Sequence, residues 1–193
     1  LWLRFQAYTF LPITSGFIVP IYWRVYLHTN HMLRNQKYRE LLWVIIGNIT
    51  NIAAFMTCGS LQLSRSLLYH YLSCWLSYIY LFGHFSLSHS TTEIVGKDEN
   101  ISWIRYAIEH SVDISTENYL VGWIMGYLNF QVIHHLFPSM PQYRGYAVSR
   151  ELIPFCKKFN IQYKRIGYWK AWYEMFSNLQ EVGNYYTDNK KCY

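Results

Sequence analysis

Gln131, His134 and His135 are the residues of this sequence whose types and spacing best suit chemistry. On a helix, positions three and four apart share a face, so one amide and two imidazoles point at one volume. Neutral imidazole is a ligand for iron, zinc or copper, and a glutamine oxygen is a harder, weaker donor. A His-His pair also serves as a pair of core histidines hydrogen-bonded to backbone. Three polar side chains on one face of a largely apolar helix would then each need a buried partner, which favours a metal. A fourth candidate is His89, in Phe85-Ser-Leu-Ser-His89-Ser, at the end of an uncharged run. Ionisable residues at the ends of membrane spans are functional candidates. His84 lies about 140° round a helix from His89, so the two would not share one ion, and His84 reads as an interior, hydrogen-bonded histidine. His28 and His31 sit in a basic stretch and read as solvated. His70 reads as interfacial, and His110, with no partner at ligand spacing, as structural.

The elements that must position these residues read as membrane helices. The chain has 193 residues, nineteen of them tyrosine, with a fifth of all residues aromatic. Its mean hydropathy is near zero, but tyrosine scores as polar while favouring membrane interfaces. The formal net charge is +6. No basic cluster interleaves with a stacking platform, which excludes nucleic acid as a partner, and basic flanks beside uncharged spans suit an anionic leaflet. Cys58, Cys74, Cys156 and Cys192 show no paired spacing, so neither a zinc ribbon nor a disulfide framework is indicated. The chain begins at Leu1 without a recognisable signal peptide, and reads as a fragment.

Residues 5–23 carry no charge, but Pro12 and Pro20 interrupt them, so a kinked, re-entrant or interfacial helix is expected. Residues 24–40 are a basic, cytoplasmic loop. Residues 41–64 and 66–92 are uncharged and form two spans joined by a tight turn at Arg65, which returns His89 to the compartment of the remaining chain. Gly47, Ala53, Ala54 and Gly59 suit close helix packing. Trp103-Ile104 and Ala107-Ile108 mark a short amphipathic helix. Ser115-Thr116 offers an N-cap for the helix that carries Gln131 and the histidines, which Pro138 and Pro141 end. A helix over residues 146–159 with an internal Pro154, a brief strand over 161–166, and a stripe from Trp169 to Leu179 stopped by Gly183 complete the chain. The expected fold is an all-α integral membrane protein. It has two transmembrane helices and the re-entrant or interfacial helix at about residues 5–92, and a mainly helical cytosolic cap at about 93–193.

Gln131-x-x-His134-His135-Leu136-Phe137-Pro138, preceded by Leu128-Asn129-Phe130 and followed by Met140-Pro141, resembles the third histidine box of membrane fatty-acid desaturases. Glutamine in place of that box's first histidine marks the front-end (Δ5- or Δ6-like) branch, which acts between an existing double bond and the carboxyl end. Ile133 departs from the many front-end members with glutamate there, so a carboxylate that could support the ligands is absent. The segment around His89 is similar to the place where these enzymes supply one further histidine. The resemblance covers the chain as the C-terminal half of such an enzyme.

It implies a di-iron centre to which His89, Gln131, His134 and His135 contribute. Four donors are about half of what two irons need, so the family's first two boxes, HxxxH-like and HxxHH-like, should lie upstream of Leu1. It further implies a fatty acyl lipid or acyl-CoA substrate that receives a cis double bond, dioxygen, and electrons from cytochrome b5 and its reductase. The implied setting is the endoplasmic-reticulum membrane, multi-pass, with the C-terminus cytosolic. Lys190-Lys191-Cys192-Tyr193 has the spacing of a dilysine retrieval signal if Tyr193 is the native terminus. This chain alone is expected to be inactive. A sphingolipid desaturase or acyl hydroxylase, and a non-catalytic membrane packing protein, are the alternative readings.

Overall fold

The structure is a computed structural model of the chain and describes residues 2–18, 20–92 and 101–189. The chain forms two compact units, residues 8–83 and residues 1–7 with 84–193. The possible retrieval signal at Lys190 and Lys191 lies outside the described residues.

The first unit is helical. A turn at Trp2–Phe5 and the start of α1 (Gln6–Thr9) belong to the other unit; from residue 8 the chain runs through two widely wound stretches, Phe10–Ile18 and Ile21–His28, into α2 (Thr29–Arg34). Pro12 and Pro20 lack the N–H that would close the usual four-residue ladder, and a wider winding accommodates this without ending the helix. The Pro12 carbonyl accepts a hydrogen bond from Trp75 Nε1 at 3.0 Å. The run Leu3–Arg34, 32 residues, is long and apolar enough to cross a membrane. The loop expected over residues 24–40 is therefore helical as far as Arg34.

Helix α3 (Tyr38–Thr57) also has the length and apolarity of a span, and none of its apolar stretch is buried inside the chain. A core helix of a soluble protein would be mostly covered; this one presents its apolar surface outward. Helix α4 (Leu63–Leu87) has 25 residues, about 37 Å at 1.5 Å each, and is more polar, with serines and tyrosines along it. Arg65 lies inside α4, so the turn between α3 and α4 falls at residues 58–62 and not at Arg65. Polar side chains join these helices. Asn48 Oδ1 accepts from Arg24 Nη2 at 2.6 Å and lies 3.1 Å from His70 Nε2. In lipid such contacts are a main source of helix association. His70 thus belongs to an interhelical group.

The second unit holds α5 (Trp103–Glu109), β1 (Asp113–Ile114), α6 (Tyr119–Ile124), α7 (Gln131–Leu136), α8 (Gly145–Lys158), β2 (Arg165–Ile166) and α9 (Tyr168–Asn189). The two strands are two residues each and parallel, with Asp113 opposite Arg165 and Ile114 opposite Ile166. The strand expected over 161–166 is realised only at its end, and the unit is not purely α-helical.

Three local expectations are corrected. Asn118 caps α6, accepting from the Leu120 and Val121 amides, in place of Ser115-Thr116. The cap does not start the histidine helix either: Gly126 (φ 56°) and Tyr127 (φ 63°) both take the left-handed conformation and end α6. Gln131 and the histidines therefore ride on a separate, six-residue helix. Gly183 does not stop α9, which runs through it to Asn189. A Cβ at Gly183 would meet the backbone carbonyl of Leu3, so glycine is there for close approach.

Replacing an interior helical glycine by alanine ordinarily gains up to about 1 kcal/mol in helix propensity. At Gly183 the overlap is with backbone, which cannot swing aside, and overpacking costs about 1–3 kcal/mol. Gly183→Ala is expected to lower the thermal midpoint of the detergent-purified protein; a raised midpoint would show that the contact is slack.

Candidate metal centre

The six residues of α7 are too few to form a stable helix alone, so their surroundings must hold them. Val132 and Ile133 enter a core with Ile108, Phe130, Leu152 and Cys156. The remaining constraint comes from the segment at residues 111–115, which lies along α7 and grips it at three points. Asp113 Oδ1 accepts the Val132 amide at 2.7 Å. The Ile114 amide donates to the Asn129 carbonyl at 2.8 Å, and Asn129 Nδ2 returns a bond to the Ile114 carbonyl at 3.1 Å. Ser111 Oγ stands 2.7 Å from His135 Nδ1.

Asp113 is fully buried. Burial pushes its carboxyl up to about 7, against the opposing effects of the Tyr163 hydroxyl, the Val132 amide and Arg165. Tyr163 donates to Asp113 Oδ2 at 2.6 Å. Burial, followed by the Asp113 charge, pushes the Tyr163 phenol up as well. None of Ser111, Asp113, Asn129 and Tyr163 was singled out as supporting the site by sequence reasoning. The one signal for them was a lone aspartate between Val112 and Ile114, since a carboxylate in an apolar strand needs specific donors.

His89 lies two residues beyond the end of α4. The chain around it is tied down by its neighbours: Asn178 donates to the Ser90 carbonyl, and Lys164 Nζ to the Thr91 carbonyl at 2.9 Å. Thr92 Oγ1 donates to the His110 carbonyl at 3.2 Å. This brings the His89 ring to 5.3 Å from the His135 ring, centroid to centroid. On α7 itself, Gln131 Nε2 and His135 Nε2 are 3.0 Å apart, the one-turn contact expected from their spacing. The His134 ring is 6.1 Å from that of His135. Burial, then the proximity of His89 and of His134, pushes the His135 imidazole below its ordinary range, which favours the neutral form a metal requires. A cleft of about 740 Å³ opens beside His89, with Tyr173, Glu174 and Asn178 in its wall.

The other histidines sort themselves by their partners. His84 is buried, with Nε2 3.0 Å from the Tyr168 hydroxyl and its ring edge-on to Trp172. His28 faces Glu40 at 3.5 Å, and His31 lies exposed beside Asn35 at 3.2 Å. Among the described residues, no group of three or more His, Cys, Asp or Glu converges closely enough to hold a metal ion by itself. The four residues expected as ligands, His89, Gln131, His134 and His135, would offer three imidazoles and an amide. Such donors suit iron, zinc or copper in type and are unsuited to calcium or magnesium, which take oxygen.

Comparison with known proteins places these features in a family. The family model described as fatty acid desaturase matches residues 1–167. An acyl-lipid (8-3)-desaturase of Thraustochytrium sp is 37% identical over 186 residues, covering 95% of this chain and 42% of that protein. A protein of the same name from Rebecca salina is 34% identical over 190 residues, with the same two coverages. A fatty acid desaturase 2-like protein of Mus musculus is 26% identical over 184 residues, covering 91% of this chain and 35% of its own length. The chain therefore spans about two fifths of the length of these curated relatives. No solved structure is matched.

The buried Asp113 carboxyl makes a signed prediction. Its folded value lies above the ordinary carboxylate range, so its contribution to stability is complete below that range and is lost as pH rises to about 7. Across that window the wild-type protein is expected to lose stability relative to Asp113→Asn, by roughly 1.4 kcal/mol per pH unit. Denaturant unfolding in detergent at a series of pH values measures it. Parallel pH curves for the two proteins would mean that the folded carboxyl is already ionised.

Proposed function

We propose, since the chain belongs to the fatty acid desaturase family, that it forms part of a front-end acyl desaturase, and that His89, Gln131, His134 and His135 contribute ligands to its iron centre. The observation that carries the assignment is the meeting of His89 with His135. A histidine from the end of one long helix stands 5.3 Å from a histidine of a separate short helix. A packing histidine has no need of such a neighbour, as His84 with its tyrosine and tryptophan illustrates.

Non-haem iron with dioxygen, when bound, supplies an oxidant able to take hydrogen from an unactivated methylene, which side chains alone cannot do. The residues of this chain hold and orient. His135 offers Nε2 from a ring fixed at its other nitrogen by Ser111. Gln131 sets an amide against the same nitrogen, and the His89 ring stands 5.3 Å from that of His135. Further donors for a two-iron centre lie outside these four residues.

An apolar cleft of about 350 Å³ begins at the far end of α7, walled by Trp103, Ile104, Leu136, Phe137 and Phe155. It supports an acyl chain as substrate. We place α3 and α4 across the membrane as a hairpin, with residues 5–23 kinked, re-entrant or interfacial, and about residues 93–193 on the cytosolic side. Endoplasmic-reticulum residence and cytochrome b5 as electron donor follow from the family reading. On the same reading these residues expressed alone are inactive. A cis double bond nearer the carboxyl end of a polyunsaturated chain is the expected product, and the two closer relatives, both named acyl-lipid desaturases, favour a lipid-linked substrate.

The test is substitution in the full-length enzyme. His134→Ala, His135→Ala and His89→Ala are each expected to abolish desaturation and lower bound iron, while His84→Ala should retain iron. Fatty-acid profiling of an expressing host and elemental analysis of the purified protein give the two readouts. Normal turnover in His134→Ala or His135→Ala would sink the assignment, and a greater loss in His84→Ala than in His89→Ala would mean that the other histidine is the ligand.

A further inference from the structure

We infer that Ser111 is a positioning residue for His135, holding its imidazole in the tautomer whose Nε2 is free to bind a metal. This rests on the metal reading above and deepens it. An amide nitrogen can only donate a hydrogen bond. Gln131 Nε2 lies 3.0 Å from His135 Nε2, and in this orientation of the amide that ring nitrogen accepts and the ring proton sits on Nδ1. At Nδ1 stands Ser111 Oγ, 2.7 Å away, which accepts that proton. The other tautomer would place hydrogen on Nε2, block it as a ligand, and set it against the amide hydrogens of Gln131.

The serine is built into the fold for this contact. Ser111 is 1% exposed, so its hydroxyl is fixed by packing and not by water. It lies two residues before Asp113, and the two side chains grip α7 at its ends. Asp113 holds the Val132 amide in the first turn, and Ser111 holds the His135 ring in the last. Position along the helix and orientation of the ring are thereby fixed by one short segment. Metal entry then requires only that the Gln131 amide turn away from Nε2 or present its oxygen to the same volume.

The experiment uses the full-length protein in detergent with ring-15N histidine. In the chelator-treated protein, the signals lost in His135→Ala identify His135. The wild type should show a protonated Nδ1 and a bare Nε2, and Ser111→Ala should lose that preference. Iron(II) is then partitioned against a chelator of known affinity. Ser111→Ala is expected to weaken iron binding ten- to a hundred-fold, the usual effect of removing a group that orients a ligand. Ser111→Cys, nearly the same size but a poor acceptor, should do the same if alanine leaves a folding defect, and Ser111→Thr should restore affinity to within a few-fold. Wild-type tautomer and iron affinity in Ser111→Ala or Ser111→Cys, with iron lost in His135→Ala, would overturn the role of Ser111 alone. Unchanged iron in His135→Ala would overturn the metal reading and this inference with it.

Discussion

The hydrogen bond from the Val132 amide to the Asp113 carboxylate is the constraint from which the arrangement of the candidate centre follows. The first amides of any helix have no partner within it, and a helix of six residues has few bonds of its own to spare. A carboxylate at that end satisfies a donor and complements the helix dipole. Its cost is burial, large enough to bring the carboxyl to about neutrality. The Tyr163 hydroxyl on the second oxygen offsets part of it. With Asp113 in place, the rest of its segment falls into register: Ile114 meets Asn129, and Ser111 meets His135. The parallel pairing of β1 with β2 then ties this segment to the start of α9.

The grouping of Gln131 with the two histidines was legible because it is local. Gln131 and His135 are one helical turn apart, and any helix through them brings their side chains together, as the 3.0 Å contact shows. Helix geometry separated His84 from His89, and the family resemblance chose His89 between them; His84 points to Tyr168. The supporting residues were not legible. Ser111 and Asp113 act across a fold that joins loop, strand and helix, and nothing in Ser111-Val-Asp113-Ile indicates which amide or ring it will meet. The break between α6 and α7 was missed for another reason. An apolar run broken only by Gly122 and Gly126 reads as continuous helix, and the left-handed turn needs both Gly126 and the sterically less suited Tyr127.

The membrane-like unit shows the reverse balance. Absence of charge located its helices, but proline was read as an interruption. A proline removes one donor, and a helix can lose one donor and continue with wider winding if the freed carbonyl finds another partner. The same stretch is also braced from outside, where Trp75 donates to the carbonyl of Pro12 itself, from a part of the chain that sequence periodicity cannot pair with it. Asn48 is similar. In sequence it is one polar residue in an apolar helix, and in the structure it is the meeting point of Arg24 and His70.

The close approach at Gly183 bears on how the protein can be made. Gln6 donates to the Leu179 carbonyl at 2.6 Å and Gln180 to the Arg4 carbonyl, so residues 2–7 are docked on α9. A ribosome delivers these partners at the two ends of a long interval, with both long helices α3 and α4 emerging in between. Residues 2–7 have no docking surface until α9 has been made, and closing so large a loop is a late event. Assembly of the second unit therefore cannot be completed during translation of the segment that begins it.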